Sequence, residues 1–345
     1  MAAGVSGNDS QRLQTPGNEE FETLTYPTGA GTSFGSVSVI VPVYNRVRLI
    51  EACLQHLQRA ARPLADQGVQ VEIVVADDAS TDGSGQKVLT LAEKADDIVV
   101  RLVTLEHRQG PGRARNAALH VAQGELVVFV DSDIVVVPGF LEAHLAAYSE
   151  GGPVYTVGTV VAVPDLERAL EYPSPTKWDL SNASLHTANA SVPRAVLEQV
   201  GFFDSGFEGY GWEDLDLGRR LKKAGYKRVM VHEAIGYHVD PPLQTREQFL
   251  AQLDKERQRG RYAVHFMEKH PEFSARMTAQ DTVLHRGLNW LFRLGGLVHE
   301  ENVLDWVEWA RRRRLTALEK MWIAGVLNQV YLDSLAAAKG MQTGD

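Results

Sequence analysis

The chain of 345 residues contains very little cysteine and no long apolar run, and these absences exclude several classes of protein. Cys53 is the single cysteine, so no disulfide can form within the chain, and we expect a reducing, cytoplasmic compartment. Because no stretch of about 18 apolar residues occurs, we expect no transmembrane helix. Residues 1–33 are polar and lack an apolar core, which predicts a disordered segment rather than a signal peptide.

The chain also lacks the basic excess and the glycine-rich fingerprints of common nucleotide and nucleic-acid binders. Its formal net charge is −9, which argues against a general nucleic-acid partner. Gly110 and Gly112 are not followed by the Gly-Lys-Ser/Thr of a phosphate-binding loop, and no dinucleotide fingerprint follows the first apolar run. With 44% hydrophobic and 23% charged residues, the composition is that of an ordinary folded protein.

Apolar runs alternate with helical patterns over the first half of the chain. The runs cover residues 37–42, 71–76, 98–105 and 126–130, with helical spacing between them. This alternation predicts an α/β fold with a parallel sheet and crossover helices. Residues 164–212 look irregular, a helix is predicted over 213–224, and the chain turns helical beyond Pro241 and Pro242.

Two carboxylates follow the fourth apolar run directly, and they are the most informative feature present. Asp131 and Asp133 flank Ser132 at the carboxyl end of the predicted strand, the edge where open α/β sheets bind ligands. Neighbouring carboxylates repel each other unless a cation lies between them. Oxygen ligands of this kind suit Mg²⁺ or Mn²⁺. The pattern therefore favours an enzyme that acts on a nucleotide or diphosphate.

Other polar groups occur where they would share this edge. Tyr44 follows the first predicted strand, and Asp78 follows the second. The segment GYGWED (209–214) begins the later predicted helix, where acids gain from the helix dipole. We therefore expect one cluster of acids and aromatic groups.

Five motifs in this order resemble the family 2 glycosyltransferases, which have the GT-A fold. They are VSVIVPVYN (37–45), DDASTDGS (77–84), GRARN (112–116), DSD (131–133) and WEDLD (212–216). The resemblance spans about residues 36–240. It implies a Rossmann-like, mostly parallel central sheet flanked by helices, preceded by a disordered segment (1–35) and followed by a C-terminal α-helical extension (241–345).

The resemblance also implies roles for individual residues. Asp78 would accept the uracil N–H, and Asp133 with His238 would hold Mn²⁺ or Mg²⁺, with Asp131 as a further ligand and His232 as a competitor for His238. The residues expected to bind the nucleotide are Pro42, Tyr44, Asn45, Asp77, Asp78, Arg113, Arg115, Asp131 and Ser132.

For the chemical step, the resemblance makes Asp214 the catalytic base, and Glu213 would hold the donor sugar or the acceptor hydroxyls. Tyr210, Gly211 and Trp212 would contact the sugars. The implied reaction moves a sugar from a nucleotide-sugar, with a UDP-sugar favoured, to a hydroxyl of a glycan, a lipid-linked sugar, a protein or a small molecule. The acidic Glu-Asp pair favours inversion, because many retaining relatives have Glu-Asn there.

Three other functions remain open at this stage. They are a retaining transferase resembling N-acetylgalactosaminyl- or mannosyltransferases, a sugar nucleotidylyltransferase, and a binding module without catalysis. The C-terminal helices carry Trp306, Trp309 and four arginines at 311–314. That segment would suit a solvated face, a dimer contact, an acceptor-binding cap or a peripheral contact with the inner membrane surface.

Overall fold

The computed structural model describes residues 34–94, 98–172, 185–241, 243 and 245–342. The disorder expected for residues 1–33 lies outside the described residues. Within the described part, eight strands form one sheet. They are β1 (Ser36–Val43), β2 (Gln70–Asp77), β3 (Val99–Thr104), β4 (Leu126–Val130), β5 (Ile134–Val136), β6 (Val154–Val163), β7 (Asn189–Pro193) and β8 (Lys227–Val239).

The strand order is β3-β2-β1-β4-β7-β6-β8-β5, and the sheet is mixed. The four strands β3, β2, β1 and β4 are all parallel to one another, and β6 is parallel to β8. Strand β7 is antiparallel to its neighbours β4 and β6, and β5 is antiparallel to β8. The chain winds outward from β1 to β3 and then returns to place β4 on the other side of β1. This reversal makes a crevice at the carboxyl ends of β1 and β4, where α/β sheets bind ligands.

Helices cover both faces of the sheet, which is why β4 is apolar at every position. Their bounds are α1 (Ile50–Asp66), α2 (Ser84–Ala92), α3 (Pro111–Val121), α4 (Phe140–Ala146), α5 (Leu166–Leu170), α6 (Arg194–Val200) and α7 (Glu213–Lys223). Successive residues of β1 point to opposite faces. Val39 packs in one core with Leu54 of α1, and Ile40 packs in the other with Ala118 of α3 and Leu217 of α7.

The helical extension follows β8 and completes the core beside α7. Its helices are α8 (Arg246–Lys269), α9 (Phe273–Thr278), α10 (Val283–Phe292), α11 (Val303–Arg312) and α12 (Thr316–Gln342). Helix α8 begins with a capping box in which Thr245 and Gln248 satisfy each other's backbone N–H groups. Trp212, at the start of α7, packs against Phe266 of α8 and Tyr331 of α12. The extension therefore shares a core with the segment that carries the predicted acids.

The prediction was incomplete in two places. The region 164–212, predicted to be irregular, contains α5, β7 and α6, and β5 follows Asp133 directly. Both strands are short, and β7 includes Asn189 and Pro193, which β-strands usually disfavour. No helix of the described chain combines the length and apolarity needed to cross a membrane.

Candidate active site

The loops after β1 and β2 are joined by hydrogen bonds at the carboxyl edge of the sheet. Val43 and Asp77 are register partners, so the residues that follow them lie side by side. The backbone N–H of Asn45 donates to Ser80 Oγ at 2.9 Å, and the Asn45 side chain accepts from the backbone N–H of Thr81 at 2.8 Å. Asn45 has a φ of +50°, a conformation that asparagine tolerates better than most residues. The predicted proximity of the two loops is thus present.

Asp77 and Asp78 both hold neighbouring backbone in place. Asp77 Oδ1 accepts from the N–H of Ser80 at 2.9 Å. Asp78 accepts from the N–H of Gln109 at 2.7 Å with one oxygen and from the N–H of Gly110 at 2.9 Å with the other. Burial raises the pKa of Asp78, although these two hydrogen bonds oppose the shift. Each carboxylate oxygen keeps a further lone pair that can accept the N–H of a base.

Tyr44 lies under an arginine that the sequence reasoning missed. The guanidinium carbon of Arg108 lies 4.2 Å from the centre of the Tyr44 ring. A cation over an aromatic face is attracted to the ring's electron density. Arg108 directly precedes the backbone of residues 109 and 110 that Asp78 holds. Pro42 is buried within β1, opposite Ala76 of β2.

Asp133 and His238 meet across the β5–β8 pair. Ile134 and His238 are register partners, and His238 Nε2 lies 3.6 Å from Asp133 Oδ2. Arg46 also reaches this carboxylate, with its Nε at 3.4 Å. Burial opposes ionisation of Asp133, but His238 and Arg46 outweigh it and lower the pKa of the carboxyl group. Asp133 in turn raises the pKa of His238. His238, rather than His232, is therefore the histidine in contact with the acid.

The donor set at Asp133 suits a divalent cation with an open coordination sphere. Among the residues that the structure describes, no group of three or more His, Cys, Asp or Glu side chains could hold a metal ion. The pair in contact consists of one carboxylate and one imidazole. Such a pair would fit an ion that takes its remaining ligands from water and substrate phosphates, so Asp133 and His238 are the candidate protein ligands for Mn²⁺ or Mg²⁺.

Asp131 has a different partner. Buried Arg115, on α3, donates to Asp131 Oδ1 at 2.7 Å and to Glu213 Oε1 at 3.2 Å. Burial alone would lower the pKa of Arg115, but the two carboxylates outweigh it and raise that pKa. Arg115 therefore links the carboxyl end of β4 to the first residue of α7 through these two hydrogen bonds. Arg113 points elsewhere and binds the carbonyl of Ser205 and the carboxylate of Glu208.

Glu213 and Asp214 begin α7 but differ in their surroundings. Glu213 is buried, and its Oε2 has no hydrogen-bond partner. Burial and the neighbouring charge of Asp214 raise the pKa of Glu213. Burial also raises the pKa of Asp214, while His186 and Arg115 oppose the shift. Asp214 is partly exposed as a residue, although its carboxyl group is buried, and Oδ1 accepts from the N–H of Leu215 at 2.7 Å. Asp214 is thus the more accessible of the two acids.

The three residues predicted to contact sugars lie in different environments. Tyr210 is exposed as a residue, but burial of its hydroxyl, with Glu213 nearby, raises the pKa of Tyr210 to about 12. Gly211 has a φ of +94°, which favours glycine. Trp212 is only 2% exposed, and its Nε1 donates to the carbonyl of Arg259 at 2.6 Å. The Trp212 ring belongs to the core shared with α8 and α12, so only Tyr210 presents an aromatic ring at the surface here.

Two further residues near the acids were missed from the sequence. Lys255 of α8 lies with its Nζ 5.3 Å from the centre of the Tyr210 ring, and burial and Arg46 lower its pKa. His186 precedes β7, and its Nδ1 is buried without a partner. Lys255 lies beyond the stretch covered by the motifs, and His186 lies in the region predicted to be irregular. Ser132 is buried between the two acids.

Two family models together span the residues of the candidate site. Residues 38–203 match the family model described as glycosyl transferase family 2, and residues 179–317 match that of glycosyl transferase family group 2. Validoxylamine A glucosyltransferase of Streptomyces hygroscopicus is 27% identical over 321 residues, covering 83% of this chain and 71% of that protein.

Two solved structures have a similar fold. The mannosyltransferase PcManGT of Pyrobaculum calidifontis, in complex with GDP-Man and Mn²⁺, aligns with a TM-score of 0.56 at 20% identity, over 93% of this chain and 91% of that one. Residues 1–349 of S. aureus TarS, in complex with UDP-GlcNAc, align with a TM-score of 0.51 at 21% identity, over 90% and 92%. At this identity the likeness concerns the fold, and it confirms the predicted sheet flanked by helices with a helical C-terminal region.

Proposed function

We propose that this chain, which belongs to the family 2 glycosyltransferases, transfers a sugar from a UDP-sugar to a hydroxyl acceptor, with a divalent cation and with inversion at the anomeric carbon. The observation that carries the proposal is the contact between Asp133 and His238 across β5 and β8, with Arg46 beside it. That arrangement supplies cationic and metal-binding groups at the edge of the sheet where a diphosphate would lie.

The nucleoside would bind at the carboxyl ends of β1 and β2. Tyr44 offers an aromatic face to the base, provided that Arg108 moves from its position over the ring. Asp78 has carboxylate lone pairs left to accept the N–H of uracil, and guanine has N–H groups that could serve equally. The preference for UDP over GDP therefore rests on the resemblance to the family.

The diphosphate would be neutralised by side chains from three segments. Arg46 follows β1, Arg108 precedes α3, and Lys255 belongs to α8. The charges of Arg46 and Arg108 act on the Lys255 ammonium, as do those of Asp133 and Asp240, so the three cations lie within electrostatic range of one another. Three positive charges this close repel one another, and an anion bound between them would remove that repulsion. A cation bound at Asp133 and His238 would act there as a Lewis acid on the leaving diphosphate.

Asp214 is the proposed base. It must reach the attacking hydroxyl to within about 3 Å, and it is the more accessible acid of the pair that begins α7. Burial raises the pKa of Asp214, while His186 and Arg115 oppose that shift and favour the ionised form, which is the form that accepts a proton. Glu213 is held by Arg115 and is enclosed, so we assign it to positioning of α7 and of the sugar pocket.

The alternative of retention keeps the same donor site and changes the role of the acids. A retaining enzyme would not need Asp214 to deprotonate the acceptor from the opposite face. NMR of the product anomer separates the two outcomes directly. The acceptor could be a hydroxyl of a glycan, a lipid-linked sugar, a protein or a small molecule.

The test of the proposed function is a donor screen followed by a transfer assay. A thermal-shift series of UDP- and GDP-sugars with Mn²⁺ should stabilise the protein with one donor, and that donor should release its nucleoside diphosphate when the acceptor is present. Asp214→Asn should abolish release and keep nucleotide binding. Stabilisation by no sugar nucleotide, with or without Mn²⁺, would refute the proposal.

A further inference from the structure

Helix α10 presents its apolar residues to solvent. Of the 19 large apolar side chains that are exposed among the described residues, 10 lie within residues 273–297. Leu284, Leu288 and Leu291 follow one another at helical spacing and are 63%, 43% and 60% exposed. A helix that packs on a soluble protein normally buries such a stripe.

The buried side of α10 is polar instead. Asn289 is its one buried residue, and it donates to Gln329 Oε1 of α12 at 2.9 Å. This polar contact helps to hold the helix on α12, while the stripe of Leu284, Leu288 and Leu291 remains uncovered. Trp290, 62% exposed, extends the uncovered surface. Contiguous exposed apolar surface of this kind usually marks an interaction site.

Positive charge borders the apolar stripe. A cavity of about 330 Å³ opens where α9 meets α10, and it is lined by Phe273, Arg276, Asp281, Thr282, Val283 and Arg286. Asp281 is approached by Arg276 at 3.6 Å, by Arg286 at 3.7 Å and by Lys339 of α12. Three cations around one carboxylate leave a local surplus of two positive charges, although the chain as a whole carries −9.

We propose that α9 and α10 dock on an anionic phospholipid bilayer, with Leu284, Leu288 and Leu291 entering the interface. Arg276 and Arg286 would bind the phosphates of lipid headgroups at the mouth of the cavity, and Trp290 would lie at headgroup level. An amphipathic helix with an apolar stripe and flanking arginines has the chemistry of helices that lie in the membrane plane. Phe273 and Val283 join the stripe to the arginines, because both line the same cavity.

Charge decides against a second copy as the occupant. A two-fold dimer through this face would bring Arg276 and Arg286 close to the same arginines of the other subunit, and like charges across an interface weaken it. An acidic bilayer surface complements both the apolar stripe and the surplus charge. The docking surface is therefore better matched by lipid than by another molecule of this chain.

Residues 306–314, for which the sequence left a membrane contact open among other roles, are less suitable. Arg311 pairs with Glu319 and Arg312 with Glu308, while Arg313 lies over the Trp309 ring at 4.2 Å. Trp306 packs against Trp322 of α12. Within residues 303–315, all of them described, only Trp309 and Leu315 are exposed large apolar residues, whereas α10 has a continuous stripe. We therefore place the membrane contact on α9 and α10.

Vesicle co-sedimentation of the full chain tests the proposal. The wild-type protein should pellet with vesicles of phosphatidylcholine mixed with phosphatidylglycerol, bind pure phosphatidylcholine more weakly, and be released from the mixed vesicles by salt. The double variant Leu284→Ser/Leu291→Ser should reduce the partition coefficient more than about tenfold. Arg276→Gln and Arg286→Gln should each reduce it by about fivefold, on anionic vesicles only.

Leu89→Ser is the matched control, because Leu89 is an exposed leucine of α2 outside this surface. It should bind vesicles as the wild type does, and thermal melts establish that every variant folds. The proposal is overturned if the wild-type protein does not bind anionic vesicles, or if the double variant binds them as well as Leu89→Ser does. It is also overturned if light scattering finds a dimer that dissociates on Leu284→Ser, since a second copy would then cover the stripe. The readout does not depend on sugar transfer, so the proposed function can stand or fall separately.

Discussion

Replacing Arg115 should be the most destabilising single change at the candidate site. Its guanidinium is buried and is shared by Asp131 and Glu213, which come from different elements. Arg115→Met keeps much of the apolar stem but leaves Glu213 buried with no charged partner at its Oε1, and Oε2 already lacks a hydrogen bond. Asp131 is a third exposed and can be hydrated, so most of the cost falls on Glu213.

The expected loss is about 3–5 kcal/mol of unfolding free energy near neutral pH, the range for breaking one side of a buried ion pair. The loss should be smaller at about pH 5 than at about pH 8. Without Arg115 the folded-state pKa of Glu213 rises further above its unfolded value of about 4.3. Between these two pKa values the folded state binds more protons than the unfolded state. The free energy of unfolding therefore falls as pH rises from the lower pKa to the higher one.

Urea unfolding at the two pH values measures both effects. Arg113→Met is the matched control, because Arg113 pairs with the exposed Glu208 and its loss should cost at most about 1 kcal/mol. Adding Glu213→Gln to Arg115→Met should recover part of the stability. The reasoning is refuted if Arg115→Met and Arg113→Met are equally stable, or if the loss is the same at both pH values.

Three other outcomes are expected from the structure. Asp214→Asn should lower sugar transfer at least about 100-fold with unchanged UDP binding, as expected for loss of a general base, and parallel loss of both would show a structural role. Gly124→Ala should lower unfolding free energy by more than about 2 kcal/mol, because the new Cβ would lie 2.2 Å from the backbone N of Ser38; a normal urea midpoint would contradict this. Burial opposes ionisation of Asp216, but a hydrogen bond from His270 and nearby cations lower its pKa. The ionised Asp216 should therefore stabilise the folded state above about pH 4, and this contribution should be lost on acidification. In urea unfolding as a function of pH, Asp216→Asn should show a smaller loss of unfolding free energy at acid pH than the wild type.

Much of the fold was predictable because its signals are local. Strands β1, β2 and β4 are continuous apolar runs, and the helices between them follow the 3.6-residue period. The family and GT-A architecture expected from the five motifs are confirmed by the comparisons. Strands β5 and β7 were not predicted, because three and five residues give little periodicity and β7 gains its stability from pairing with β4 and β6.

The site was predictable where strand ends define it and less so where tertiary contacts do. The contact of Asp133 with His238 depends on the register of β5 and β8, and only the resemblance to the family suggested it from the sequence. The sequence could not tell that Arg115 would bridge two acids, or that Trp212 would face the core rather than a sugar. Lys255 was missed because α8 folds back onto the site from a segment with no recognisable motif.

The central claim is that Asp133 and His238 hold a divalent cation that binds the donor's diphosphate. Calorimetric titration of UDP in Mn²⁺ and in EDTA tests it most directly, with His232→Ala as the control for an exposed histidine on the same strand. We predict that Mn²⁺ tightens UDP binding to the wild type and to His232→Ala, and that Asp133→Asn and His238→Ala lose at least about tenfold of that gain. Equal UDP affinity in Mn²⁺ and in EDTA, or equal behaviour of His238→Ala and His232→Ala, would contradict the claim.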